Sequence, residues 1–342
     1  METGAQPGTN PRPFDGIGTI VEPTVVTVGP ATLCREAMTQ LVADGPSGAD
    51  VAVVVDEAGR PLGLTTLRDC VRAPAREVGT VMRTGGPAAT MDWTAQEAAH
   101  QVVEGGLVAL PVLDADGRVA AILTPIAAHR HLMERVEDDA DDFAGILGEP
   151  ADDYMNLTVL ADFRRRIPWV LALAVAGLAA GYVVHVYEDA LEALVILALY
   201  MPMVADTGGN VGTQSASLVT RAIGVGDVRV RDAARILWRE ARVALLLAAV
   251  LFAFVYLKVY FISNNADVPD GLTLNGIGLA IAVALSVQVV SATLIGAMLP
   301  VAAVAVRQDP AVVSGPALTT IVDFTGLVLY FSITTSLLGL SL

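Results

Sequence analysis

The stretch PMVADTGGNVGTQSAS, residues 202–217, places glycines and polar side chains inside a long apolar run. It carries a carboxylate at Asp206 and then residues with amide and hydroxyl oxygens. Polar groups at membrane depth are costly and usually line a polar pathway or pair with one another. The stretch therefore predicts a transmembrane helix with one polar face. The alternative is a tightly packed helix interface, because small residues allow helices to approach closely.

The apolar half of the chain begins near residue 167. The chain is 54% apolar, with a mean hydropathy of +0.59, which excludes a purely soluble protein and a mainly disordered one. A helix needs about 20 apolar residues to cross a bilayer. The sequence therefore predicts an all-α polytopic membrane domain at 167–342, with five transmembrane helices at about 167–187, 190–220, 234–262, 272–306 and 311–341.

Charges flanking these spans predict their orientation. Arginines 164–166 precede the first span, and six more lie from the end of the second span into the first turns of the third, at positions 221–242. The opposite loops hold Glu188 and Asp189, and then residues 264–271 without lysine or arginine. By the positive-inside rule, we expect a multi-pass protein of the cell membrane with a cytoplasmic N-terminal half and an external C-terminus.

Two carboxylates fall near the middle of predicted spans, Asp206 and Asp323. Asp206 is 15 residues from Arg221, and Asp323 is 16 residues from Arg307. At 1.5 Å per residue both lie roughly 20 Å from the cytoplasmic side. No lysine or arginine of the sequence is predicted at that depth to neutralise them, so a cation is the expected partner.

A proline precedes each aspartate and adds oxygen ligands to this layer. Pro202 and Pro316 each free a helix carbonyl, which at membrane depth must be satisfied by protein, water or an ion. Together with the carboxylates, the polar stretch supplies the candidate pore and metal residues. They are Asp323, Asp206, Asn210, Gly208, Gly209, Thr213 and Gln214.

The N-terminal half contains one pattern twice. Residues 51–66 (VAVVVDEAGRPLGLTT) and 107–124 (LVALPVLDADGRVAAILT) each predict a strand, a turn and a second strand. Each copy follows an amphipathic helical stretch, at 33–43 and 94–106. A repeated unit with this hairpin resembles a CBS-domain pair, or Bateman module, which implies an α/β fold.

The CBS resemblance also implies a site for an adenosine nucleotide such as ATP. The first copy keeps the family's segment as GLTTLRD, with Gly63, Thr66 and Asp69. In the second copy Ala121 and Ala127 replace the glycine and the aspartate, so we expect at most one site per chain. The alternative is that Thr66 and Asp69 only cap a helix N-terminus.

An acidic segment connects the two halves. It contains eight carboxylates that we predict to bind regulatory divalent cations, which relieve repulsion through oxygen ligands. They are Glu137, Asp138, Asp139, Asp141, Asp142, Asp152, Asp153 and Asp162. The alternative is a solvated face that keeps a linker soluble. The predicted organisation is a flexible leader at 1–22, CBS motifs at 23–80 and 81–135, an acidic connecting, plug-like helix at 136–166, and the membrane domain at 167–342.

Three segments of the membrane half resemble the MgtE family of magnesium channels. They are P-x-x-x-x-T-G-G-N-x-G-T-Q-S from Pro202 to Ser215, RDAARILWRE (231–240) and DPAVVSGPALTTIVDFTGLVLYF (309–331). The resemblance implies that the second and fifth helices of two subunits line one pore, with Asp323 as its selectivity carboxylate. Asp206 departs from the family pattern. The family's N-terminal superhelical domain is expected to be absent, because only about 22 residues precede the CBS module.

These features predict a C2 homodimer in the lipid bilayer that moves Mg²⁺ into the cytoplasm. Cytoplasmic Mg²⁺, and ATP at the CBS module, would gate it. We expect no enzymatic activity, and no nucleic-acid binding, since the net charge is −15 and no basic patch is present. The alternatives are a cation-coupled divalent metal exchanger and a membrane-tethered nucleotide sensor without transport.

Overall fold

The computed structural model of the protein describes residues 15–44, 50–146, 155, 157–262, 268–269 and 271–340. The chain divides into two compact units, residues 1–138 and 139–342. The strands of the first unit are β1 (Thr27–Val28), β2 (Val51–Val55), β3 (Pro61–Thr66), β4 (Ala89–Thr90), β5 (Leu110–Leu113) and β6 (Val119–Leu123). Its helices are α1 (Cys34–Asp44), α2 (Leu67–Arg72), α3 (Ala95–Glu104) and α4 (Pro125–Ala144), the last of which continues into the second unit.

The first unit contains two copies of one three-stranded sheet. In the order β1-β2-β3 and β4-β5-β6, the first pair is parallel and the second antiparallel. Both hairpins turn in the same way. The Oδ1 of Asp56, like that of Asp114, accepts two backbone N–H groups, and a glycine with positive φ follows, at Gly59 and Gly117. This repeated α/β topology agrees with the predicted CBS-domain pair.

Residues 15–22 correct part of the predicted leader. Ile17 is fully buried, and its backbone N–H donates to the carbonyl of Trp93 at 2.9 Å. Glu22 pairs with Ile122 at the edge of the second sheet. The segment is ordered because an apolar side chain inserts into the core of the second motif. Residues 1–14 lie outside the described residues.

The second unit contains eight helices or helix segments among its described residues. They are the end of α4, α5 (Val159–Val186), α6 (Glu188–Ala193), α7 (Ile196–Gly224), α8 (Ala233–Ile262), α9 (Leu274–Ala305), α10 (Pro310–Ser314) and α11 (Pro316–Leu338). Within the described ranges, four segments are long and apolar enough to cross a membrane: Val159–Val186, Val230–Phe261, Leu274–Ala305 and Pro310–Leu338. The five long helices agree with the predicted helical architecture. Helix α7 is long enough to cross a membrane but is not among these four segments, and the residues at its centre are polar.

Several helix boundaries differ from the predicted ones. The first long helix begins eight residues earlier than predicted, where Thr158 caps α5 by accepting the N–H of Ala161. The predicted second span is divided near Leu194, between α6 and α7. The acidic connector is not one helix over its whole length, since α4 ends at Ala144 and α5 begins at Val159.

The predicted fifth span is also divided, at Gly315. Pro316 occupies the first position of α11, where a missing N–H costs nothing. The preceding residue is driven out of the helical region, and Gly315 has φ −105° and ψ −119°. A side chain at Gly315 would collide with the carbonyl of Phe143, so the close approach of these two backbones requires glycine.

Helix α9 is the centre of the membrane unit. Helices α7, α8 and α11 all pack against it, and α7 also packs against α11. Small residues form the contact between α7 and α9. A Cβ added at Gly296 would lie 2.9 Å from the carbonyl carbon of Gly212, and one added at Gly212 would lie 3.2 Å from the carbonyl oxygen of Ala292. This close contact fixes α7 beside α11, which carries the second aspartate.

Candidate cation site

The two intramembrane aspartates are brought together by α7 and α11. Asp206 is in α7 and Asp323 is in α11, and these two helices pack against each other. The Asp206 side chain is exposed on the protomer and Asp323 is partly buried. A Cβ added at Gly209 would lie 4.0 Å from Oδ1 of Asp323, so the carboxylate rests beside this glycine. The arrangement concentrates negative charge at one level of the helix bundle.

The polar stretch of α7 divides into two faces. Gly208, Gly209 and Gly212 are buried, whereas Asn210 and Gln214 are exposed, together with Asp206. Thr213 is intermediate. The glycines of the stretch pack against α9 and α11, and the carboxylate and amides lie on the exposed side of the same helix.

The side chain of Gln288 was missed by sequence reasoning. It lies in α9, is fully buried, and its Nε2 donates to the carbonyl of Val322 at 3.1 Å. The signal was available, since Gln288 is a polar residue within the predicted span 272–306. It belongs to the same layer as the aspartates, because Val322 directly precedes Asp323.

Glu240 is a second polar residue that the sequence analysis did not single out. It lies in α8 with 7% of its surface exposed. Its Oε2 accepts the hydroxyl of Ser215 in α7 at 2.8 Å. The hydrogen bond joins α7 to α8 on the buried side of α7 rather than on the open face. Glu240 is therefore a contact between helices.

The predicted regulatory carboxylates lie along α4 and at the start of α5. Their exposures differ. Glu137 is exposed, Asp138 is buried, and the rest are intermediate, namely Asp139, Asp141, Asp142 and Asp162. Asp152 and Asp153 lie outside the described residues. No group of three or more histidine, cysteine, aspartate or glutamate side chains that could hold a metal occurs within the described part of the chain.

Two of these carboxylates are paired with arginines that the sequence analysis assigned only to orientation. Asp141 accepts Nη2 of Arg165 at 2.9 Å, and both side chains are largely buried. Asp162 accepts Nε of Arg166 at 2.9 Å, one helical turn away. A divalent cation at Asp141 would therefore compete with a guanidinium for the same oxygen.

The first CBS motif contains the predicted nucleotide residues Gly63, Thr66 and Asp69. Thr66 caps α2: its Oγ1 accepts the N–H of Asp69 at 3.1 Å and donates to Oδ2 of Asp69 at 2.7 Å. Arg83 lies 3.3 Å from the same carboxylate oxygen. The hydrogen bond from Thr66 and the nearby Arg83 hold the pKa of Asp69 below its usual value, although burial opposes them. Gly63 is required by packing, because a side chain there would collide with the carbonyl of Arg83.

A cavity of about 680 Å³ opens beside Thr66 in the first unit. It is lined by both CBS motifs, and Gly63 and Asp69 are not among its lining residues. Those residues are Asp50, Val51, Thr66, Leu67, Arg68, Val71, Leu107, Val108 and Pro125. The helix-capping alternative thus describes the observed bonds of Thr66 and Asp69, and the cavity adds residues that sequence reasoning did not include.

Comparisons with known proteins agree with both halves of the fold. Residues 201–333 match a family model described as a divalent cation transporter, MgtE. Residues 17–76 and 78–133 match the CBS domain model. The chain is 31% identical over 327 residues to the magnesium transporter MgtE of Thermus thermophilus, and 25% identical over 327 residues to that of Bacillus subtilis. Each alignment covers 95% of this chain and 70% of the relative.

A solved structure described as the cytosolic domain of the Mg²⁺ channel MgtE in complex with ATP is also similar. It is 28% identical, with a TM-score of 0.32, over 34% of this chain and 48% of that chain.

A CBS-domain pair followed by a helical membrane unit of this sequence defines a CBS-containing divalent cation transporter rather than an enzyme. More particularly, the chain belongs to the MgtE family of magnesium transporters.

Proposed function

We propose that two copies of this chain form one pore that carries Mg²⁺ into the cytoplasm between the carboxylates of Asp206 and Asp323. The observation that carries the proposal is the position of Asp323 beside Gly209 at the contact between α7 and α11, three residues from Asp206 along α7. A five-helix unit offers no evident symmetric pore, and the open face of α7 leaves its carboxylate and amides free to face a second copy. The twofold axis of a C2 homodimer would then place four carboxylates around one path.

The chemistry of this layer suits a hydrated divalent cation. Two carboxylates held at one level in a medium of low dielectric repel each other strongly, and a divalent cation removes that repulsion. Mg²⁺ gives up its waters reluctantly and is usually held through one or two carboxylates with several waters retained. Asn210 and Gln214 on the same helix face supply amide oxygens and N–H groups that can hold those waters.

The test is Mg²⁺ flux into liposomes that contain the purified protein. Asp323→Ala is expected to abolish uptake, and Asp206→Gly to retain uptake while changing the apparent affinity or the preference among Mg²⁺, Mn²⁺, Co²⁺ and Ca²⁺. The matched control is Glu192→Gln, which removes an exposed carboxylate of α6. Wild-type uptake by Asp323→Ala, at equal folding and reconstitution, would refute the assigned path.

The same liposomes distinguish a channel from an exchanger. We propose a channel, whose flux follows the Mg²⁺ gradient and the membrane potential. Flux that requires a counter-gradient of Na⁺ or H⁺ would instead establish the exchanger.

We further propose that cytoplasmic Mg²⁺ closes the pore through the acidic segment. Four aspartates follow one another along α4, namely Asp138, Asp139, Asp141 and Asp142, and Asp141 is paired with Arg165. At low Mg²⁺ the acidic segments of two subunits would repel each other. Mg²⁺ needs only one or two carboxylates from each chain, so ions shared between two subunits would draw their connectors together. Closure should appear as protease protection of the connector together with lower open probability as Mg²⁺ rises through the millimolar range. An open probability independent of cytoplasmic Mg²⁺ would remove this role.

The cavity between the CBS motifs supports a nucleotide as a second regulator. Its volume of about 680 Å³ and its mixture of apolar and charged lining residues suit one ATP molecule. Calorimetry of the full chain with ATP is expected to give one site per chain, weakened by Arg68→Ala. The comparison variant is Arg118→Ala, which alters an arginine outside the cavity lining.

A further inference from the structure

Gln288 is a polar side chain in the interior of the membrane unit that forms a single hydrogen bond. Its Nε2 donates to the carbonyl of Val322 in α11 at 3.1 Å. Within the described residues its Oε1 has no hydrogen-bond partner. Burying an amide with an unpaired oxygen is unfavourable, and an apolar side chain of the same length would avoid that cost. The free energy of folding alone therefore does not explain a glutamine here.

The slot that holds Gln288 is formed by two glycines on different helices. A Cβ at Gly208 of α7 would lie 3.2 Å from Cδ of Gln288 and 3.1 Å from Cγ1 of Val322. A Cβ at Gly326 of α11 would lie 2.7 Å from the same Cδ. The glycines of both helices thus provide the space that the Gln288 amide occupies, and the amide is in van der Waals contact with each helix.

The contacts of the amide are one residue away from the candidate cation site on both helices. Gly208 is followed by Gly209, which lies beside the Asp323 carboxylate, and Val322 is followed by Asp323 itself. Sliding α11 along α7 would break the hydrogen bond to Val322 and press the amide against the glycine slot. The amide therefore fixes the axial position of Asp323 relative to α7.

We infer that Gln288 is a positioning residue, whose buried amide sets the level of the Asp323 carboxylate and thereby the cation selectivity of the pore. This inference rests on the proposed function. Gln288 does not contact the ion and acts through the α11 backbone. Because a hydrated Mg²⁺ demands a near-ideal octahedral arrangement whereas Ca²⁺ accepts variable geometry, a displaced carboxylate reduces discrimination between the two ions.

The first test replaces the amide by an apolar side chain of similar length. In liposomes, Gln288→Met is expected to lower the rate of Mg²⁺ uptake and the Mg²⁺-to-Ca²⁺ ratio about three- to tenfold, which is the usual effect of losing one buried hydrogen bond. The matched control is Ser286→Ala. Ser286 is in the same helix, and its Oγ lies 2.7 Å from the carbonyl oxygen of Ala282 in that helix and 3.3 Å from that of Ala248 in α8, so its loss removes a buried hydroxyl contact that does not involve α11. Its selectivity ratio should equal that of the wild type.

The second test restores the hydrogen-bond donor by protonating an acid at position 288. In Gln288→Glu, the protonated acid can donate to the Val322 carbonyl, whereas the carboxylate cannot. Uptake and selectivity of this variant, each divided by the wild-type value at the same pH, should recover as the pH falls from about 8 to about 5.5. The same ratios for Gln288→Met should not change with pH. A merely space-filling residue would show no such recovery.

The outcomes separate this inference from the proposed function. If wild-type liposomes take up no Mg²⁺, or if Asp323→Ala is as active as the wild type, the proposed function fails. If Asp323→Ala is inactive while Gln288→Met keeps wild-type rate and selectivity, only the positioning role fails. If Gln288→Met does not fold, Gln288→Glu decides, and the absence of recovery at low pH overturns the inference.

Discussion

The close contact of α7 with α9 predicts a large difference between two glycine-to-alanine substitutions. In Gly296→Ala, the new Cβ would lie 2.9 Å from the carbonyl carbon of Gly212 and 3.0 Å from its Cα, and would collide with its carbonyl oxygen. These are backbone atoms that cannot rotate away. The carbonyl carbon alone would need the two helices to separate by about 0.5 Å to reach an ordinary contact of 3.4 Å, and the nearer carbonyl oxygen requires a larger separation. Such overpacking costs about 1–3 kcal/mol.

The opposing term is the helix propensity of alanine, which is about 0.5–1 kcal/mol better than that of glycine. The expected net effect of Gly296→Ala is a loss of about 1–2 kcal/mol in the free energy of unfolding. In a unit of this size, that loss lowers the Tm by about 2–8 °C. The control is Gly177→Ala in α5, where no atom lies within 4 Å of the added Cβ. Only the propensity term remains there, so we expect an unchanged or slightly higher Tm.

The assay is thermal unfolding of the detergent-solubilised protein, followed by the loss of the folded peak in size-exclusion chromatography. Mg²⁺ uptake by the same variants is the second readout, because a displacement of α7 from α9 also displaces Asp206, which α7 carries. A Gly296→Ala protein that melts at or above the wild-type temperature with unchanged uptake would refute the backbone contact.

Three further predictions concern the first unit and the connector. Thr66→Ala removes the cap of α2 and is expected to destabilise the CBS module by about 1 kcal/mol in urea unfolding, whereas Thr80→Ala, which loses only an exposed hydroxyl bond, should have little effect. Burial and the neighbouring Arg135 hold the pKa of His131 below its usual value. The unfolded chain therefore binds the extra proton first, stability falls as the pH drops below about 6.5, and His131→Leu should flatten that dependence. Arg165→Gln frees Asp141 for cations and should lower the Mg²⁺ concentration that closes the pore about two- to fivefold, with Arg164→Gln, which alters an exposed arginine, as the comparison.

The hairpins and long helices were predictable because their signals are local. An aspartate before a glycine turn marks each hairpin, and Asp56 and Asp114 accept the expected backbone N–H groups. Long apolar runs mark the membrane helices in the same way. Asp206 and Asp323 were predicted at one depth by counting from flanking arginines, and the structure places Asp323 beside Gly209, three residues after Asp206.

The rest depends on contacts between residues far apart in sequence. The break at Gly315 follows from the approach of the Phe143 carbonyl, which no local pattern encodes. Asp141 and Arg165 are 24 residues apart and lie in different helices. The role of Gln288 depends on its hydrogen bond to the carbonyl of Val322, which lies in a different helix and cannot be predicted from the sequence around Gln288.

The central position of α9 has a consequence for biosynthesis. Helix α7 leaves the ribosome before α9, yet it is not apolar enough to qualify as a spanning segment by composition, and its glycine face is completed by α9 and α11. Until residue 305 has emerged, the nascent chain holds a semi-polar helix without its main partner. We therefore expect α7 to insert stably only after α9 has been synthesised, because the earlier helices pack against α9. Nascent chains arrested before α9 should leave α7 accessible to water-soluble reagents.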